Sequence, residues 1–519
     1  MERRAVFGCI VAALLGICLP ALLVPVPPLL DYPNHLARLW LLAGGGAGGP
    51  LAQIYGVDWT GAVINIGTDL VARTVGPFVG PSRLPPLLLM VACVLPPLGA
   101  VLLNRAVYGG FHWWQAGFGL LAWCFTLLAG FLNFQISLGF ALLAAASDPL
   151  PSKRRGAPVR RIATGAALLI CHPFGCVFYG ALLTSLAWGP GFRDPLDGST
   201  GSRLGRVLWP GVCATLIPVA ALWLFAPVLP GGHEATPMLS RWGGDFVLNK
   251  VLTALSVIVT YDARTDFLFV IALWIVLRWV IGMGRGRVHA GLWYGAGGMA
   301  LASFAVPAAV ADTAYIDVRL PVMAALMAAA GLSPTTRLPS WMAAAALAGV
   351  VLARTGWIGA VWEARQADVQ SVARALASVP PGALVLPAEH CCQPGPIGRR
   401  LLVTTPTYLH DPALAVPWRQ AFVPTLFAAP GKQPLRVLPP WDRLAAPEGR
   451  TAPLTSIRDY SSRPLERVFF GYLEHWRERF DYMLVINADT PDDTLDESVF
   501  PELGLVTDEG FARLYRINR

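Results

Sequence analysis

The side chains best placed for chemistry stand early in the chain, in Leu30-Asp31-Tyr32-Pro33-Asn34-His35-Leu36-Ala37-Arg38. Asp31, His35 and Arg38 follow at intervals of four and three residues, which puts them on roughly one face of a helix. A carboxylate, an imidazole and a guanidinium held together can move a proton and grip an anion. Other roles fit the same residues. Pro33 suits the first turn of a helix, so Asp31 also fits an N-cap that satisfies free amide groups, and His35 and Arg38 also fit a surface helix anchored among lipid headgroups. Asp58-Trp59 joins an acceptor to an aromatic face, a pairing suited to the hydroxyl and C–H groups of a carbohydrate. Asn65 and Asp69, four apart, read as a cap or a solvated face.

Further along, His172 sits in His172-Pro173-Phe174-Gly175, either as a hydrogen-bonded packing residue or as a ligand contact. Arg319 follows Asp312, Tyr315 and Asp317 at the start of an apolar run. An arginine there suits bidentate phosphate binding, or else it snorkels or pairs with Asp317. In 230–265, His233, Glu234, Arg241, Asp245, Lys250, Asp262 and Arg264 have no diagnostic spacing and read mostly as surface residues, with Arg264 a further source of positive charge. The chain has no HExxH, CxxC, EF-hand, Walker or GxSxG pattern, and no GxGxxG after a strand, so neither ATP-driven transport nor serine hydrolysis has support.

The elements that must position these groups are membrane helices. The 519 residues are 55% hydrophobic and only 14% charged, and mean hydropathy is +0.53. A soluble domain carries about 25% charged residues. Apolar runs near 5–26, 84–103, 112–129, 134–147, 162–187, 207–229, 266–283, 290–310, 320–332 and 340–357 reach or approach the roughly 20 residues that cross a bilayer. In such a protein the net charge of +8 reports orientation rather than nucleic-acid binding. Basic residues flank 162–187 on both sides, so that run should leave and return as a short hairpin broken at His172-Pro173. A second short hairpin turns at Gly130-Phe131-Leu132-Asn133-Phe134.

This accounting gives about 11 transmembrane helices, with a cytoplasmic N-terminus and a retained first span. It makes 1–357 a polytopic domain whose first outward loop is 27–83, and 358–519 an extracytoplasmic α/β domain. Ala383–Pro387 and Tyr482–Ile486 read as buried strands, Val369–Ser378 as a helix, Leu465–Phe480 as amphipathic, and the Pro-rich stretch 395–455 as ordered only by packing on the membrane part. Seven of nine cysteines lie in apolar runs as small hydrophobes, while Cys391-Cys392 are either a vicinal disulfide or two thiols.

The order of parts resembles the GT-C glycosyltransferases, polytopic enzymes that use sugars linked to a lipid phosphate. Asp31–Arg38, Gly130–Phe134, Ala421–Phe427 and Pro430–Pro434 look more specifically like segments of a group of uncharacterised bacterial membrane proteins of that type. The resemblance implies that Asp31 is the catalytic carboxylate and that Arg319 meets the donor phosphate, in the bacterial inner membrane. His35, Arg38, Asp58, His172 and Arg264 are then candidates for substrate contact. The loop lacks the paired Asp-Glu or Asp-x-Asp of better-known members, so no metal and no cofactor is expected. The expected partners are the bilayer, a polyprenyl-phosphate-linked sugar and a saccharide, lipid or protein acceptor. A transporter or flippase for a lipid-linked saccharide is the rival reading, although no internal repeat supports it. A non-catalytic assembly protein is the third.

Overall fold

A computed structural model describes residues 2–148, 156–193, 200–225, 242, 245–282, 284, 286–310, 313–390, 400–403, 405–462, 470–490 and 497–519. The basic cluster Lys153–Arg155, His233, Glu234, Arg241, Asp312 and Cys391-Cys392 lie outside the described residues, as does the first part of Leu465–Phe480. What is described of that last segment is two short turns of helix, Gly471–Leu473 and Trp476–Arg479.

The chain is mostly helical, with a small sheet near its C-terminus. Among the described residues three helices are long and apolar enough to cross a membrane: Leu84–Tyr108, Leu204–Phe225 and Ser340–Leu376. Leu132–Ser147, Pro173–Trp188, Phe246–Leu255 and Arg319–Ala330 are apolar but shorter. The first apolar run divides into Glu2–Gly16 and Leu19–Leu23. The run at 112–129 forms a tight 3-10 stretch, Trp113–Ala122, and one α turn, Phe125–Leu128. Both expected breaks are present. One helix ends at Cys171 and the next starts at Pro173, because proline has no amide hydrogen to continue the ladder. The turn before Leu132–Ser147 passes through Gly130 at φ 84°, a left-handed conformation that costs glycine little.

Contacts divide the chain into two units that do not follow its order. One contains Met1–Leu22, Val63–Gly67 and Leu88–Gly359; the other contains Leu23–Ala62, Thr68–Leu87 and Ala360–Arg519. Residues 27–83, expected as the first outward loop, thus fall with the C-terminal residues for most of their length, rather than with 1–357. The expected helix at 369–378 is the end of Ser340–Leu376, which runs unbroken through the boundary drawn at 357.

In the second unit, five strands line up in the order Ala452–Pro453, Val385–Glu389, Tyr482–Ile486, Ala512–Ile517, Leu503–Asp508. The first three are parallel and the last two are joined antiparallel. Val385–Glu389 is buried throughout, as a strand flanked on both sides must be. Tyr55–Val57 of the first loop pairs antiparallel with Leu435–Val437. The described part of 395–455 is therefore held by its own unit: Thr451 Oγ donates to Leu409 O at 2.6 Å and Tyr472 Oη to Arg450 O at 2.7 Å.

In the helical unit, Lys250 corrects the surface reading of 230–265. It lies on the helix Phe246–Leu255, buried, and its ammonium donates to Ser303 O, Val306 O and Asp317 Oδ2 at 3.0, 2.6 and 2.9 Å. Thr253 Oγ also donates to Asp317. Arg354 similarly meets Asp266 at 2.9 Å, and Asp266 accepts from Thr260 N and Oγ, both at 2.6 Å.

Candidate functional site

In the second unit, Tyr32–Leu42 forms the helix anticipated from the sequence, with proline in its first turn and Asp31 at the N-cap position. The Asp31 carboxyl makes no capping bond there; only its backbone carbonyl joins the helix, accepting from His35 N at 3.0 Å. The helix packs on the 3-10 turn Asp411–Leu414, and that packing brings up a residue the sequence did not flag. His410 Nε2 lies 3.6 Å from Asp31 Oδ1, with the Asp31 side chain 19% exposed and that of His410 9%.

Exposure sets the order of the pair. Among the described residues His410 Nδ1 is sealed from solvent and has no hydrogen-bond partner, and Asp31 is the more exposed member of the pair. Burial, helped by the Arg450 cation, pushes the His410 imidazole down to about 4, so it is neutral at pH 7. A neutral ring carries one N–H. Placing it on Nε2 directs it at the carboxylate, whereas placing it on Nδ1 buries an unsatisfied donor. With the proton on Nε2 the ring faces the Asp31 carboxylate across 3.6 Å, a charge–dipole contact beyond hydrogen-bond distance.

Phe427 stands edge-on to both histidines, with centroids 5.5 Å from His35 and 5.3 Å from His410. Its segment is fixed by Asn34, which accepts from Phe427 N at 3.2 Å and donates to Thr425 O at 3.4 Å. Ala421–Phe427, noticed only through resemblance, thus supplies the apolar wall between the two rings.

His35 and Arg38 are both buried. Burial, then the charge of Arg38 and a smaller effect of His410, hold the His35 imidazole well below its usual value. Arg38 Nη2 lies 3.4 Å from His35 Nδ1, while its guanidinium is held by Asp69 at 2.9 and 3.3 Å. Asp69 is completely buried, which corrects its reading as a cap or solvated face, and burial outweighs Arg38 to raise its carboxyl. A 3.6 period on a short stretch cannot show that its partner lies in the preceding helix. Asp58 is more exposed: it accepts from Thr60 Oγ and N at 2.6 and 2.9 Å, faces Arg436 at 3.7 Å, and is lowered chiefly by the Thr60 bonds. That is a local turn.

The other candidates belong to the helical unit. Arg319 starts the helix Arg319–Ala330 and is buried against Phe131, Phe174 and Phe134, its guanidinium 4.9, 5.2 and 5.8 Å from the ring centroids. Three aromatic faces stabilise a desolvated cation by cation–π attraction. Asp317, offered above as a partner for Arg319, is engaged by Lys250, Thr253 and Asn249. His172 is buried, accepts from Phe174 N at 3.2 Å and meets the edge of Phe134, the arrangement of a packing histidine. Arg264 is exposed in the first turn of Ala263–Val280, whose N-cap Asp262 accepts its amide at 3.0 Å.

Among the described residues no three His, Cys, Asp or Glu side chains converge as metal ligands. The class these observations define is a mostly helical protein with membrane-compatible spans and a small mixed sheet, bearing a carboxylate-imidazole pair outside the spans. Compared with known proteins, the chain matches no family model, no curated protein and no solved structure.

Proposed function

We propose that this protein is a membrane glycosyltransferase of the GT-C type, which moves a sugar from a polyprenyl-phosphate donor to an acceptor at the outer face of the bacterial inner membrane. The observation that carries this reading is the Asp31 carboxyl, partly exposed at the start of the helix Tyr32–Leu42 and 3.6 Å from His410. Asp31 acts as general base, taking the acceptor hydroxyl's proton as its oxygen bonds to the anomeric carbon and the bond from that carbon to the phosphate oxygen breaks. The phosphate leaves as an anion, so the protein needs to supply positive charge more than a proton. Arg319 remains the proposed phosphate contact, its cation held in the aromatic box. About eleven crossings, a cytoplasmic N-terminus and an extracytoplasmic C-terminal unit complete the proposal.

The test is sugar transfer from radiolabelled polyprenyl-phosphate donors to lipid and saccharide acceptors in membranes containing the wild type or Asp31→Asn. Removal of a general base should slow transfer about 100-fold to 10,000-fold at equal expression. Equal rates would remove Asp31 from the chemistry.

A further inference from the structure

A second polar feature of the mixed unit is not used by the chemistry above. A pocket there is lined by Pro27, Pro28, Arg365, Asp368, Arg400 and Asp411, with Val369, Thr407 and Tyr408 completing it. Most of its charges are matched. The Arg400 guanidinium donates to Asp368 at 3.0 and 3.2 Å, to Asp489 at 2.6 and 2.7 Å and to Asn487 at 2.9 Å, and Arg365 pairs with Asp368 one turn along its helix. Two groups are less well satisfied: Arg365 Nη2 has no hydrogen-bond partner among the described residues, and Asp411 is the carboxyl left open. It is 7% exposed, and among the described residues no hydrogen bond or ion pair reaches its carboxyl; only its backbone amide is engaged, with Tyr408 O. A carboxyl left unpartnered in a buried pocket is costly.

The chemistry of the lining selects what can satisfy it. A phosphate or carboxylate would face Asp368 and Asp411, and an ammonium would face Arg365 and Arg400, so either ion meets like charge. A hydroxyl suits both sides, because it donates to a carboxylate and accepts from a guanidinium. Burial pushes Asp411 up to about 8 against the pull of Arg365 and Arg400, and a hydroxyl also serves the protonated form, as its acceptor. The pocket takes a group about the size of one water molecule, so only a projecting hydroxyl of a larger molecule enters it.

We infer that this pocket is a binding site for a neutral saccharide, which inserts a hydroxyl against Asp411. Its place in the sugar-transfer scheme, as a subsite for the acceptor, rests on the reading proposed above. The binding itself does not, since His410 and Asp411 are neighbours that look to different partners: His410 to Asp31, Asp411 to the pocket.

The experiment is saturation-transfer NMR on the full-length protein in lipid nanodiscs, with the methyl pyranosides of glucose, galactose, mannose and N-acetylglucosamine as probes. Inorganic phosphate and methylammonium serve as competitors. At least one glycoside should bind, Asp411→Asn should weaken it about tenfold, the scale of one lost hydrogen bond to such a group, and Asp411→Leu should abolish it. Val369→Phe, which narrows the pocket without touching a polar group, should also block binding and guards against a folding defect in the Asp411 variants. The inference is overturned if no glycoside binds, if binding survives Asp411→Leu unchanged, or if phosphate or methylammonium displaces the glycoside competitively. Asp31→Asn should leave binding intact, so a failure of the transfer scheme and a failure of this site give different results.

Discussion

In the helical unit, the Lys250 ammonium has three acceptors and Asp317 three further donors, while Arg354 and Asp266 are matched in the same way with help from Thr260. In the mixed unit, among the described residues, no hydrogen bond or ion pair reaches the buried carboxyl of Asp411, one oxygen of Glu389 has no hydrogen-bond partner, and His410 leaves a ring nitrogen unmatched. Where a buried charge meets a complementary side chain, as at Lys250–Asp317 and Arg354–Asp266, the pair fixes its helices in register. Asp411, which lines a pocket, keeps its hydrogen-bonding capacity for a visitor.

The sharpest way to break this contrast is to unmatch the helical unit. Asp317→Leu should strand the Lys250 charge and destabilise the protein by about 3–5 kcal/mol, the usual consequence of removing one member of a buried pair. Thermal unfolding in nanodiscs measures it. Adding Lys250→Met should restore most of the loss, because two apolar side chains replace the pair together. If the double variant unfolds as early as the single one, the residues do not act as a pair.

The mixed unit should respond to pH instead. Asp411 has a native carboxyl near 8 against 3.8 for an ordinary aspartate, so between those values the folded chain keeps a proton that the unfolded chain gives up. Its contribution to stability falls as pH rises through this window. Asp411→Leu should gain on the wild type progressively from about pH 4 to pH 8, by unfolding measured across that range. Glu389, also near 8 through burial, keeps a slope of the same sign in both proteins. His410 has the reverse sign: its native value near 4 lies below the ordinary 6.5, so it contributes stability above pH 6.5 that is lost as pH falls toward 4. His410→Phe should therefore lose less stability than the wild type on acidification. Identical acid limbs would show that His410 is not buried as described.

Asp58→Ala sets the small end of the scale. It removes two bonds within one exposed turn, and surface changes of this kind stay within about 0.5 kcal/mol. A larger loss would mean that the Tyr55–Val57 pairing depends on Asp58.

The residues that compose each site differ in how far the sequence announced them. Asp31 was legible because a carboxylate just past an apolar run and before Pro33 is a local pattern, and the break at His172-Pro173 and the turn at Gly130 were legible because backbone chemistry fixes them locally. The strand at 482–486 was visible as a short run of buried residue types, and the one expected at 383–387 falls two residues on, at 385–389. Hydropathy likewise marked 84–103 and 340–357, which lie in the membrane-compatible helices Leu84–Tyr108 and Ser340–Leu376, although not the ends of those helices.

His410, Asp411 and Asp69 carried no such signal. His410 and Asp411 matter because Tyr32–Leu42 packs on the turn they begin, and Asp69 is buried because Arg38 meets it from another helix. Periodicity and composition describe what each segment can bury, and those were set by the chain alone. Which distant polar group is matched, and which is left open, depends on contacts between segments far apart in sequence, and only the folded structure fixes those.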